Sequence, residues 1–128
     1  MIKRYKICLV GAGQWGINHL RTLDQLSCIT GVVDNNDFTI NKLKKAFPNC
    51  ITFTDLDSSF KIDFDAYIVA TPPNTHYKIA KNIIDQNKSV LVEKPITLSL
   101  DDAIKLNNLA KSKNVNLMVG HLLLFHPA

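Results

Sequence analysis

Gly11, Ala12, Gly13, Gln14, Trp15 and Gly16 form a G-x-G-x-x-G loop directly after an apolar run. Such a loop can hold a phosphate. The first glycine permits a tight turn, the second lets a pyrophosphate approach the backbone, and the third lets a helix press on a strand. The N-terminus of that helix offers unpaired N–H groups and the positive end of a dipole. Asp34 lies 18 residues beyond Gly16, close to the spacing of about 20 at which a carboxylate meets a ribose in dinucleotide sites. It can accept from both ribose hydroxyls and would repel a 2′-phosphate. Asn35 and Asn36 follow it, with no Arg or Lys to neutralise such a phosphate. The spacing therefore predicts NAD(H) rather than NADP(H). The competing readings are glycines used only for a turn and Asp34 used only as a helix cap, a task for which Asn36 is better placed.

Two more segments end apolar runs and so fall on the same edge of an open sheet, where ligands bind. In 71–76, two prolines stiffen the loop, and Thr71, Pro72, Asn74 and His76 are candidates to face the dinucleotide. Helix capping by Asn74 or Thr75, with His76 on a surface turn, is the plain alternative. Glu93-Lys94-Pro95 ends another run. Lys94 can donate to a substrate hydroxyl, or titrate if burial lowers its pKa; a surface ion pair with Glu93 is the alternative. His121 closes the last run, where it can touch the nicotinamide end. His19 reads as a packing or hydrogen-bonding residue and Trp15 as core or cofactor cover. His126 has nothing to fix its position. Cys8, Cys28 and Cys50 have no neighbouring base and read as structural.

The elements that position these residues alternate. β-branched or apolar runs occupy 6–10, 29–34, 51–53, 66–70, 90–92 and 116–120. Helical periodicity fills the gaps: from near Gln14 with Ile17, Leu20, Leu23 and Leu26; over 37–47, before Pro48; over 74–86 with Ile79, Ile83 and Ile84; and after Ser99 with Ile104, Leu106 and Leu109. Ser99 and Asp102 approximate a capping box, and a short helical turn is expected after Thr54. Near-continuous apolar strands fit a parallel sheet covered on both faces. The expectation is an α/β fold: a six-stranded doubly wound parallel sheet, order 3-2-1-4-5-6, with helices on both faces.

The 128 residues fit one domain that buries roughly two-thirds of its unfolded surface. Fifteen Lys and Arg against eleven Asp and Glu give +4, but the basic residues are scattered, which argues against a nucleic-acid or membrane face. No apolar run is long enough for a transmembrane helix, and the apolar stretch after Met1-Ile2-Lys3-Arg4 is too short for a secretory signal. Three cysteines, an odd number without CxxC spacing, argue against a disulfide framework or a zinc site and fit a reducing cytoplasm. The run 122–125, Leu-Leu-Leu-Phe, either extends the last strand and packs locally or is covered by something else.

GAGQWG, Asp34, ATPPNTH and EKP in this order resemble the Gfo/Idh/MocA family of nicotinamide-dependent sugar and polyol oxidoreductases. The likeness covers nearly the whole chain but only the N-terminal half of a typical member. The ending GHLLLFHPA looks like the subset that oxidises nucleotide sugars, such as UDP-N-acetylglucosamine and glucosaminuronate 3-dehydrogenases. The resemblance implies that the glycine loop and Asp34 bind NAD. It implies that Thr71, Pro72, Asn74 and His76 line the cofactor, that Glu93 meets the nicotinamide ribose region, and that Lys94 is the catalytic lysine. It also implies a second α/β domain for substrate binding and dimerisation, which often supplies a further catalytic His. On this basis 1–120 is expected to be the dinucleotide-binding domain and 121–128 a junction, with turnover by the isolated chain incomplete. Chains are expected to pair through the tail or the sixth-strand edge. The alternatives are a non-catalytic dinucleotide sensor and a small-molecule methyltransferase, whose chemistry the Pro-Pro loop and EKP do not fit.

Overall fold

A computed structural model describes residues 3–127; Met1, Ile2 and Ala128 lie outside the described residues. Six strands form one parallel sheet: β1 (Lys6–Val10), β2 (Ile29–Val33), β3 (Ile51–Phe53), β4 (Ala66–Val69), β5 (Ser89–Glu93) and β6 (Leu117–Gly120), in the order β3-β2-β1-β4-β5-β6. Five helices alternate with them: α1 (Gly16–Gln25), α2 (Asp37–Ala46), α3 (Leu56–Ser59), α4 (His76–Asp85) and α5 (Leu100–Lys113). The doubly wound reading and its strand order are therefore found as expected. None of the described helices is long and apolar enough to cross a membrane.

Successive side chains of β1 go to opposite faces, as a pleated strand requires. Cys8 and Val10 join a core with Ile83 and Ile84 of α4 and Leu106 of α5. Leu9, between them, packs with Leu20 of α1 and Leu43 of α2. Full burial of Leu9, Ile83, Ile84 or Leu106 contributes on the order of 2 kcal/mol each. A slip of one residue in β1 would exchange the two cores, which fixes the register.

Helix starts follow the sequence. Asn36 accepts from the Thr39 N–H at 3.0 Å, Asp55 from the Ser58 N–H at 2.8 Å, and Ser99 from the Asp102 N–H at 3.2 Å. The last bond is half of the expected capping box. Three expectations need correction. Leu26 caps the end of α1 and is 69% exposed, because it lies past the helix's buried stripe. Ile104 is 49% exposed, because α5 turns Leu106 and Ala110, not Ile104, into the core. The tail does not extend β6. Leu122–Phe125 form a 3-10 turn whose four side chains are largely exposed.

Candidate functional site

The C-terminal ends of β1, β2, β4 and β5 meet along one edge of the sheet. Gly11 sits at φ +91°, and a Cβ there would meet the Ala70 carbonyl oxygen at 2.8 Å. A Cβ on Gly16 would meet the Gly11 carbonyl oxygen at 2.0 Å. Both positions therefore demand glycine for packing. Gly13 differs, because a Cβ there would point into open space, with nothing within 4 Å. Its glycine leaves room that the protein itself does not fill. Trp15 caps α1 without a side-chain hydrogen bond, unlike Asn36, Asp55 and Ser99 on their helices, so no capping side chain occupies this helix start, although the Ile17 and Asn18 N–H groups already donate to the Gly13 and Trp15 carbonyls.

The Asp34 carboxylate ties this loop to β2. Its Oδ2 accepts from the Ala12 N–H at 3.0 Å, and its Oδ1 accepts from the Asn36 N–H at 2.9 Å. The Gly11 N–H donates to the Val33 carbonyl at 2.9 Å. Each carboxylate oxygen has further lone-pair capacity after these bonds. Asp34 is half-buried beside a cleft of about 590 Å³ that also takes in Gly11, Gly13, Asn35, Thr71 and Pro72. An open glycine backbone, an uncapped helix start and a carboxylate at the cleft wall fit a pyrophosphate joined to a ribose. Thr54, Asp55 and Leu56 share the cleft. Sequence reading missed them because β3 brings them there only through the sheet order.

A second, smaller cleft of about 310 Å³ lies next to the first and shares Ala70 and Thr71 with it. Trp15, Pro73, Glu93 and Lys94 complete its walls. A third hollow of about 260 Å³ shares Trp15 and Glu93 and includes His19 and His121. The three form a continuous track along the sheet edge from Asp34 to His121.

Glu93 is the hub of the far end. The His19 Nε2 lies 2.7 Å from Glu93 Oε1, with side chains 23% and 14% exposed. Burial pushes the Glu93 carboxyl up. Hydrogen bonds from His19 and the Trp15 indole, the His19 charge and the Lys94 N–H outweigh it and hold the carboxyl below its ordinary value. Trp15 and His19 are four apart and so share one face of the start of α1. That spacing was the available signal for the pair, but the strand partner, Glu93, was not visible in it. Trp15 is 51% exposed, so it is not a core residue. Lys94 is exposed, and its peptide bond to Pro95 is cis.

His76 departs from the expectation that it lines the cofactor. Its ring is 1% exposed and lies between two backbone carbonyls. Nδ1 is 2.7 Å from the Pro95 oxygen, and Nε2 is 2.8 Å from the Thr71 oxygen. It sits beneath the two loops because α4 begins at His76 and turns its first residue into the core. Asn74 is exposed in the 3-10 turn before α4, and Gln14 is exposed in the glycine loop; neither borders the three hollows. Ala12 and Gly16 are buried and contribute backbone only.

A sequence model of the oxidoreductase family with an NAD-binding Rossmann fold matches residues 5–121. This chain belongs to the Gfo/Idh/MocA oxidoreductase family. Among its relatives is UDP-N-acetylglucosamine 3-dehydrogenase of Acidithiobacillus ferrooxidans, 28% identical over 120 residues, covering 94% of this chain and 38% of that protein. Inositol 2-dehydrogenase of Mycolicibacterium smegmatis is 30% identical over 127 residues, covering 95% and 37%. The crystal structure of GenD2 from gentamicin A biosynthesis, in complex with NAD, superposes with a TM-score of 0.92 at 31% identity, covering 99% of this chain and 37% of that one. The chain therefore spans less than two-fifths of the length of these relatives. It matches the NAD-binding part of the family.

Proposed function

We propose that this chain is the dinucleotide-binding part of a dehydrogenase that moves a hydride between a sugar or nucleotide-sugar carbinol carbon and NAD. The observation that carries this reading is the continuous track joining the Asp34 cleft, through Thr71, to Lys94. Two relatives named for a nucleotide sugar and for inositol support a polyhydroxylated substrate. When bound, NAD supplies the hydride acceptor. The glycine loop, Gly11 to Gly16, holds the pyrophosphate, and Asp34 holds the adenosine ribose hydroxyls beside Asn35. Thr71, with Ala70, forms the wall between the two clefts, and Pro72 lies on its Asp34 side. Glu93, gripped by His19 and Trp15, anchors the nicotinamide side, with His121 beyond it. Oxidation of a carbinol also releases the hydroxyl proton, and Lys94, as the neutral amine, takes it; the resulting ammonium returns it in the reverse direction.

Residues 1–120 form the dinucleotide-binding unit in this reading, and 121–128 begin the junction to a substrate domain. Pairing of chains through the exposed 122–125 turn or the β6 edge belongs to the same reading; a strictly monomeric sedimentation profile at high concentration would overturn it. Cys8, Cys28 and Cys50 as free thiols support a cytoplasmic location.

Calorimetric titration with NADH, and with NADPH as control, tests the reading. Binding of NADH in clear preference is expected. No binding of either would sink it, and S-adenosylmethionine binding in their place would move the chain to methyl-transfer chemistry.

A further inference from the structure

We propose that His76 is a positioning residue: a buried strut that sets the distance between the Thr71 wall and the Lys94 wall of the smaller cleft. The inference rests on the dinucleotide reading above and concerns how the nicotinamide side of that site is held open.

The two walls come from different parts of the sheet. Thr71 follows β4, and Lys94 follows β5. Past the strand ends no ladder hydrogen bonds join them, so the loops need another link. The His76 imidazole supplies it. One ring nitrogen lies 2.8 Å from the Thr71 carbonyl oxygen, and the other lies 2.7 Å from the oxygen of Pro95, the residue after Lys94. Carbonyl oxygens only accept, so the ring ties both when each of its nitrogens carries an N–H; a rigid ring with two diverging N–H groups then fixes the span between the carbonyls within narrow limits. At 1% exposure no water competes for either contact.

The Thr71 side is itself a stiff unit. The Thr75 hydroxyl lies 2.7 Å from the Thr71 hydroxyl and 2.7 Å from the Pro72 carbonyl oxygen, and Pro72 and Pro73 restrict the backbone between. Holding one carbonyl of such a loop holds the whole wall. Thr71 borders both the Asp34 cleft and the Lys94 cleft, whereas Lys94 borders only the latter. A strut between them therefore acts most on the Lys94 cleft, the one that both walls border, while neither ring nitrogen bonds the glycine loop or Asp34.

This asymmetry gives the test. His76→Asn and His76→Gln each place one amide in the ring's position and cannot bridge both carbonyls. Affinities for NADH and for ADP-ribose, which lacks the nicotinamide, are measured by calorimetry on the same chain. Loss of the strut is expected to weaken NADH about fivefold and to leave ADP-ribose within about twofold. Equal weakening of both ligands, or of neither, would overturn the proposal, because a merely structural histidine would not separate them. A wild-type chain that binds neither ligand would fail the underlying reading first. Should the variants not fold, the wild-type ring ¹⁵N resonances of His76 decide. They are expected to move on adding NADH and stay in place on adding ADP-ribose; resonances that NADH leaves unmoved would end the proposal.

Discussion

The two ends of the sheet edge are built from different materials. Around Asp34, the site is mostly backbone: glycines at 11, 13 and 16, an uncapped helix start, and one carboxylate already held by two N–H groups. Around Lys94 it is side chains borrowed from afar. His19 reaches Glu93 across 74 positions, and His76 reaches Pro95 across 19. The first kind of site is specified by local turns and is stiff by construction. The second depends on the assembled sheet, and single substitutions can tune it without unfolding the chain.

The largest contrast expected lies within the glycine loop. Gly16→Ala drives a Cβ into the Gly11 carbonyl at 2.0 Å and should destabilise the fold by about 3 kcal/mol, read as a large fall in melting temperature. Gly13→Ala meets nothing within 4 Å, so the same measurement should show a change within about 0.5 kcal/mol while NADH affinity falls about tenfold or more. If Gly13→Ala bound NADH normally, the open space at Gly13 would not be where the phosphates lie.

Asp34→Ala should weaken NADH about tenfold and narrow its preference over NADPH, with titration of both cofactors as the check. Unchanged selectivity would remove Asp34 from the ribose site.

At the other end, His19→Ala should leave Glu93 less stabilised as a carboxylate. The folded carboxyl lies below its ordinary value of 4.5, so Glu93 contributes stability that is present above that pH and lost as pH falls through the folded value. In His19→Ala the folded value moves up, so less stability is lost below pH 4.5 and the loss is complete at a higher pH. A ¹³C titration of the Glu93 carboxyl should show the same upward movement. An unmoved midpoint would separate Glu93 from His19.

The smallest effect comes from a site away from the edge. Ser99→Ala removes the cap of α5 and should cost about 1 kcal/mol in stability with no change in NADH affinity. Lost affinity there would mean the edge is less independent of the outer helices than its contacts imply.

The six strands, their order and the phosphate loop were legible in the sequence because each rests on local chemistry: apolar runs of strand length, helix periodicity, and glycines beside a strand end. Asp34 was legible because its spacing from the loop is set by one β-α-β unit. His76 was misread for a definite reason. Its place in the motif ATPPNTH put it on the correct edge, but only the first turn of α4 decides whether the ring faces the cleft or the core. The tail was likewise ambiguous: four apolar residues in a row carry no period, and only the turn after Gly120 shows them leaving the sheet.

By itself, then, the sequence determined the elements, the parallel sheet and the phosphate-binding end, since these are read from patterns local in the chain: apolar runs, helix periodicity and glycines at a strand end. The tertiary structure alone decided which side chains meet at the Lys94 end. Glu93 with His19 and Trp15, and His76 with Thr71 and Pro95, are pairings between strands and helices distant in sequence. Their geometry exists only once β4, β5 and α1 have been set side by side, because side-chain direction at a strand end is fixed by packing and not by residue type.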